Sequence, residues 1–356
     1  MNKFLLSLIF ISSFCKISEA QWVTIPDPNF AAWIDAECPG CMNGNQMDTS
    51  CPNLNLLTIG CDNENISSLE GIQYFHSAQF LFCFDNNLTT LPELPNFLEY
   101  VICGDNPLTS ITSLPDSLYN FSCNNALLTS LPDLPVSLKS LSCNNNNLVS
   151  LPDLPMGLTH LKCNGNQLTS LPELPDSLYI LTCDNNHQLA CLPQIKTIQL
   201  FNFDSTSITC LPNYGNIINS DPPVEDIPLC GILNPSDCEV YWNISGRVYF
   251  DANSNCLYDN NETVLSGIKV QLWNSANELE QQVFSNNYGQ YSFSVDAFGS
   301  YTTRIDTVNF PFIVSCPTNG SVIGPEYLFD FYENFGLECN PFDIGTLSIV
   351  GGVFFP

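Results

Sequence analysis

Leu138-Lys139-Ser140-Leu141-Ser142-Cys143-Asn144-Asn145-Asn146-Asn147-Leu148-Val149-Ser150-Leu151-Pro152-Asp153-Leu154-Pro155 reads as one turn of a coil, and near copies of it stand on both sides. Cys83, Cys103, Cys123, Cys143, Cys163 and Cys183 recur every 20 residues, with Cys61 standing 22 before the first. Aligned on these positions, the unit is L-x-x-L-x-C-x-x-N-x-L-x-x-L-P-x-L-P. A short strand ending at the cysteine turns alternate residues inward, and a turn and a return leg bring the chain back. One coil cannot bury its own apolar edge, so the spacing predicts a stack of about eight coils around a continuous core. Leu118, Leu138, Leu158 and Leu178 form one predicted row of that core, and the cysteines form another.

Three places after the cysteines stand Asn86, Asn106, Asn146, Asn166 and Asn186, with Glu64 and Ala126 interrupting the row. An amide at this place can satisfy backbone groups of the turn, which predicts a buried ladder. The Leu-Pro-x-Leu-Pro legs hold two prolines too close together for a helix, so the convex side is expected to be extended, near polyproline II. The periodic cysteines fall on apolar positions, where a thiol acts as a compact hydrophobe; packing is expected of them before metal or redox chemistry.

On these residues the chain resembles leucine-rich repeat proteins of the short bacterial type. The resemblance implies an α/β repeat solenoid, a β-rich horseshoe whose concave face binds partners. Outward strand residues would line that face: Phe80, Phe82, Phe84, Tyr100 and Ile102 in the early coils, then Asn120, Ser122, Asn124, Ser140, Ser142, Asn144, His160 and Lys162. The aromatic group is the candidate hot spot. A capping segment folded over it is the alternative. The Asn/Ser groove suits a glycan or a protein loop equally.

Ahead of the coils, Ile25-Pro26-Asp27-Pro28-Asn29-Phe30-Ala31-Ala32-Trp33-Ile34 predicts a capping helix, with Asp27 as N-cap, Pro28 at the first helical position and a stripe of Phe30, Trp33 and Ile34. This opening resembles the start of exported leucine-rich repeat proteins of gliding and gut bacteria. Met1 to Ala20 carries Lys3, an apolar run from Phe4 to Phe14 and the small residues Ser18 and Ala20, the pattern of an export signal too short to span a bilayer. Cys15 as a lipoprotein cysteine is disfavoured by the bulky Phe14 before it. An exported chain meets an oxidising compartment, where disulfides form. Cys191 and Cys210 replace Ser or Thr in Leu-Ala-Cys-Leu-Pro and Ile-Thr-Cys-Leu-Pro, one site on adjacent final coils, and are predicted to bridge. For Cys38-x-x-Cys41, a cap disulfide to Cys51 is expected over a redox or zinc role. The partners of Cys230, Cys238, Cys256, Cys316 and Cys339 stay open.

The 356 residues include 8 Lys and Arg against 36 Asp and Glu, a net charge of −28. Such a surface repels phosphate backbones and anionic lipid, which excludes nucleic-acid binding and electrostatic membrane docking, and leaves divalent cations and basic partners. Composition changes after Asp237. Alternating runs at Ser245–Phe250, Gly267–Trp273, Gly289–Val295 and Tyr301–Ile305, split by Gly and Asn turns, predict an all-β sandwich.

Between the first two runs, Asp251, Asn253, Asn255, Asp259 and Glu262 take positions 1, 3, 5, 9 and 12 of a loop, with the Leu257 carbonyl at 7. That spacing wraps a hard cation in an EF-hand loop, here between strands. With Leu265-Ser266-Gly267-Ile268 and Asn286-Asn287-Tyr288-Gly289-Gln290-Tyr291-Ser292-Phe293, the stretch resembles the SdrD B-like modules of bacterial surface proteins. Cys256 stands where that loop carries Gly, a departure that weakens the turn or pins it by a disulfide, with Cys316 as one partner. The resemblance implies a structural Ca2+.

The expected organisation is a signal at 1–20, a cap at 21–55, the solenoid at 56–212, a terminal coil and linker at 213–240, the sandwich at 241–316, and a further module or truncated end at 317–356. Three histidines, His76, His160 and His187, all lie within the repeats, and neither a nucleophile elbow nor a phosphate loop occurs. A non-enzymatic, secreted or cell-surface bacterial interaction or adhesion module follows, binding an extracellular protein or glycan. The alternatives are a structural spacer within a larger surface protein and a glycan-binding module.

Overall fold

The computed structural model describes residues 21–213, 217–230, 238, 244–254, 258–259, 261–295 and 301–306, together with the strand backbones at 312–316, 322–323 and 331–339. The export signal, Asn255, Cys256 and Leu257 lie outside the described residues. Among the described residues no helix is long and apolar enough to cross a membrane.

The cap is built around α1 (Pro28–Glu37) and a small antiparallel sheet of β1 (Trp22–Thr24), β2 (Met42–Asn43) and β3 (Gln46–Asp48). Asp27 caps α1 as predicted: its Oδ1 accepts from the backbone N–H groups of Asn29 and Phe30, each at 2.9 Å. Its other oxygen accepts from the N–H and hydroxyl of Ser67, at 2.7 and 2.6 Å, so the N-cap also ties the cap to the first coil. Phe30, Trp33 and Ile34 are buried, and the Trp33 indole donates to the Gly60 carbonyl. The helix therefore seals the open end of the solenoid. Cys41 and Cys51 form the expected cap disulfide, and Cys38 is a buried free thiol.

The coils present nine parallel strands in chain order: β4 (Thr58–Gly60), β5 (Phe80–Phe82), β6 (Tyr100–Ile102), β7 (Asn120–Ser122), β8 (Ser140–Ser142), β9 (His160–Lys162), β10 (Ile180–Thr182), β11 (Ile198–Asn202) and β12 (Ile217–Asp221). From β4 to β11 they pair in register, so that Leu81, Val101, Phe121, Leu141, Leu161, Leu181 and Phe201 stack as one buried row. The predicted Leu118, Leu138, Leu158 and Leu178 row is buried too. The Leu-Pro-x-Leu-Pro return legs carry neither helix nor strand, in keeping with their prolines, whereas the first leg, which lacks them, holds a short 3-10 helix at Ile72–Tyr74.

The asparagine ladder has the predicted chemistry, and its detail explains the repeat. Asn146 Nδ2 donates to the carbonyls of Cys123 and Cys143, and its Oδ1 accepts from Leu128 N–H in the preceding coil. Asn86, Asn106, Asn166 and Asn186 repeat this arrangement. Ala126 cannot. In the coil before it, Leu108 N–H turns instead to the carbonyl of Asn106, at 2.8 Å. One residue before the ladder, each coil passes through the left-handed region: Asp85, Asp105, Asn125, Asn145, Gly165 and Asn185 all have φ between 54° and 62°. Asn, Asp and Gly tolerate that conformation best, which accounts for one of the three standing two places after each of these cysteines.

At the far end the predicted Cys191–Cys210 bridge is replaced by two others, Cys191–Cys238 and Cys210–Cys230. The chain folds back after β12 and lays Leu229 parallel to Leu211, which brings the Cα of Cys230 to 4.9 Å from that of Cys210. The Cys210, Cys230 and Cys238 sulfurs lie within 4.8 Å of one another. The sequence thus pointed to the right place. The returning segment supplied nearer partners.

The second unit is a sandwich of two four-stranded sheets. One has the order β16 (Gln290–Phe293), β13 (Ile244–Phe250), β20 (Phe331–Cys339), β18 (Phe312–Cys316); the other has β15 (Leu279–Phe284), β14 (Lys269–Trp273), β17 (Tyr301–Ile305), β19 (Val322–Ile323). Ile244, Val248, Tyr291 and Phe293 from the first meet Val270, Leu272, Tyr301 and Ile305 from the second in one core. All four predicted strands are present. Beyond them the fold adds β15, β18, β19 and β20, the last inserting between β13 and β18.

Among the described residues the two units meet at the Asn286–Gln290 turn. Asn287 N–H donates to the Glu225 carbonyl at 2.8 Å, its side chain donates to Asp226, Asn286 Nδ2 reaches the Ile227 carbonyl, and Leu229 N–H donates to Gln290 Oε1. Gly289 closes this turn with φ +72°, and an added Cβ would stand 2.5 Å from the Val248 carbonyl.

Candidate functional site

The concave face follows from strand alternation. In β5 and β6 the central Leu81 and Val101 are buried while Phe80, Phe82, Tyr100 and Ile102 point outward, half-buried. Phe84 stands beside them. Phe80 stacks on Tyr100 with ring centroids 5.1 Å apart, and Tyr100 meets Tyr119 at 5.8 Å. The result is a continuous aromatic platform across three coils, and Tyr119 is 46% exposed on it. Tyr119 escaped the sequence reading because it precedes its strand by one residue. Its column, four places before each cysteine, also contributes Tyr179, which contacts the ring of His160.

The middle of the face behaves differently. Asn124 Oδ1 accepts from Asn144 N–H at 2.8 Å and from the Ser142 hydroxyl at 2.9 Å, and Asn144 Oδ1 accepts from Asn164 N–H. These groups hold one another across coils. Asn120 lies half-buried at the start of β7, and Lys162 is exposed at the end of β9. His160 Nδ1 lies 2.8 Å from the Thr159 hydroxyl.

The cation loop is described at four of its six predicted positions. Asp251 and Glu262 are buried. Glu262 accepts from the N–H groups of Ala252 and Asp259 through its two oxygens, each at 3.0 Å, and Asn253 Nδ2 donates to Asp259 at 2.8 Å. Beneath them lies Tyr249, fully buried, whose hydroxyl has no hydrogen-bond partner among the described residues. Burial pushes its phenol up to about 12, aided by the charges of Asp251, Glu262 and Asp259. The loop supplies hard oxygen donors of the type Ca2+ takes, although among the described residues its three carboxylates do not all come within 4.8 Å of one another.

Cys61, Cys83, Cys103, Cys123, Cys143, Cys163 and Cys183 are buried free thiols. Burial pushes Cys103 and Cys143 up to about 12, so they carry almost no thiolate near neutral pH. The Cys103, Cys143 and Cys163 sulfurs donate to carbonyls of the following coil, at 3.4 to 3.5 Å. Their chemistry is that of packing.

Residues 242–321 match the SdrD B-like domain model. No curated protein matches the chain in sequence. Solved structures with similar coils include YopM from Yersinia enterocolitica, 27% identical over 53% of this chain and 52% of its own, with a TM-score of 0.38. InlP from Listeria monocytogenes is 14% identical over 88% of this chain and 96% of its own, with a TM-score of 0.36. The functional domain of InlJ from the same species, described as including a cysteine ladder, is 18% identical over 62% of this chain and 66% of its own, with a TM-score of 0.28.

Proposed function

We propose that this chain, a leucine-rich repeat protein with an SdrD B-like domain, is a secreted or cell-surface bacterial interaction module that captures a protein partner on its concave face. The observation that carries this reading is the platform of Phe80, Tyr100 and Tyr119, with Phe82, Phe84 and Ile102 beside it. Stacked aromatic rings offer large contact area at little entropic cost, which is the property of binding hot spots. A protein is favoured over a glycan because Asn124, Asn144 and Ser142 already hydrogen-bond across the coils. The apolar segment at Phe4–Phe14 and three disulfides support export. No catalytic role belongs to this reading.

The test is affinity capture from extracellular and surface proteins with the full chain and with Phe82→Ser and Tyr100→Ser. Capture of one partner by the native chain, reduced at least about tenfold by either variant with an unchanged melt, is the expected result. Equal capture by folded variants would leave a spacer as the better account.

The sandwich is proposed to be stiffened by Ca2+ held through Asp251, Asn253, Asn255, the Leu257 carbonyl, Asp259 and Glu262. The ion's role is structural: it neutralises carboxylates that otherwise repel in a buried loop. Calorimetry of the full chain should show the module melting higher in millimolar calcium, by an amount worth about 1–3 kcal/mol at tens of Kd. Glu262→Gln should erase the shift. An unchanged melt of the native chain would sink the calcium assignment.

A further inference from the structure

β15 is the outer strand of its sheet, paired on one side with β14. The register shows which of its main-chain groups are engaged. The Lys269 carbonyl accepts from Asp306 N–H on the β17 side. Alternation along β14 therefore turns Val270 and Leu272 toward β15, where Val283 and Gln281 answer them. The N–H and C=O groups of Gln282 and Phe284 point the other way, out of the sheet. The strand is exposed over nearly its whole length, displays Leu279 and Phe284, and contains neither Pro nor Lys. Among the described residues the Gln281 side chain reaches the Ser294 carbonyl, but no main-chain ladder covers this edge, and such an edge is a template for another strand.

The edge also has a wall facing it. Residues 280–287 line one side of a cleft of about 970 Å³, and Gln194, Lys196, Thr197 and Glu225 of the last coils line the other. Neighbouring residues of β15, both odd and even, line the same cleft, as expected when a strand presents its edge rather than a face. The Asn286–Gln290 turn holds the two walls together through its bonds to Glu225, Asp226, Ile227 and Leu229. Six strand residues reach about 20 Å. The charge is acidic on balance: Glu225 and Glu280 line the space, and Lys196, also in the lining, is paired with Asp176.

We propose that this cleft takes an extended polypeptide segment of a partner protein, rich in basic side chains, which adds as a further strand to the β15 edge. Only another main chain offers donors and acceptors at the two-residue spacing that Gln282 and Phe284 present. The acidic rim selects the side chains. This site is separate from the concave platform and does not depend on it.

The test is fluorescence anisotropy of the full chain with a labelled peptide of alternating Lys and Val, about eight residues long. The controls are the same peptide N-methylated on alternate amides and a Glu/Val peptide of equal length. The expected result is binding at least about tenfold tighter than either control. Gln282→Pro, which removes an outward N–H while leaving the bonds to β14, should weaken binding about tenfold, as should Glu225→Lys combined with Glu280→Lys. The charge variant leaves the edge backbone intact, so it reads the site even where the proline variant melts early. Failure of the parent peptide to bind, equal binding of the N-methylated peptide, or unchanged binding in the charge variant overturns the proposal.

Discussion

In the solenoid each ladder asparagine reaches into the neighbouring coil at a repeating step, whereas in the sandwich the buried Asn286 finds its partners in its own turn and 59 residues away. Asn146 spans 23 and 18 residues to Cys123 and Leu128, Asn106, Asn166 and Asn186 span the same distances, and Asn86 spans 25 and 20 across the longer first coil. Asn286 bonds within its turn to Tyr288 and Gln290, and across 59 residues to Ile227. The solenoid repeats one solution many times; the sandwich uses each solution once. A fault in the first can be shared with adjacent coils, as the coil with Ala126 demonstrates, while a fault in the second has no substitute.

The sharpest way to break this comparison is Asn146→Ala. It orphans Leu128 N–H and takes donors from two buried carbonyls, and should cost about 2–4 kcal/mol in urea unfolding. A loss below about 0.5 kcal/mol would mean that a turn carbonyl rescues the coil, as Asn106 does for Leu108, and that the ladder is dispensable. Next comes Gly289→Ala in the sandwich, which combines a positive φ with a contact to the Val248 carbonyl. About 2–3 kcal/mol should disappear from the module's transition, with the cap and early coils keeping their amide-exchange protection.

A smaller effect is expected at Asp27. Burial pushes its carboxyl up, but hydrogen bonds from Ser67, Phe30 and Asn29 outweigh it and hold the group below its ordinary value of 3.8. A carboxyl lowered on folding contributes stability that is present above the ordinary value and is lost as pH falls through the folded value. The native cap should therefore weaken below about pH 4, and Asp27→Asn should remove that dependence while costing about 1–2 kcal/mol at neutral pH. The smallest effect is a gain. Ala126→Asn restores the missing rung by accepting from Leu108 N–H, and should add about 0.5–1.5 kcal/mol.

Much of this was legible in the residues. The 20-residue period, the Leu, Cys and Asn rows, the Asp27 cap and four sandwich strands appear where the pattern put them, as do the outward-facing Phe80, Phe82, Tyr100 and Ile102. What escaped shares a character. β15 reads Leu-Glu-Gln-Gln-Val-Phe, without apolar alternation, because an edge strand over a polar cleft has no face to bury along most of its length. Tyr119 lies outside the strand pattern but inside the aromatic stack. The Cys191 and Cys210 pairing went astray because period alone compares coils with coils, and the competing sulfurs came from a segment outside the period.

Period and composition settled the coil, its buried rows, its caps and the acidic character of the surface, since each depends on residues a fixed step apart or on local turn chemistry. Folding in three dimensions settled which sulfurs meet, where β20 inserts, how the Asn286–Gln290 turn docks on the last coil and what cleft that docking encloses. These contacts join segments with no common step along the chain. Their geometry depends on where the last leg turns back.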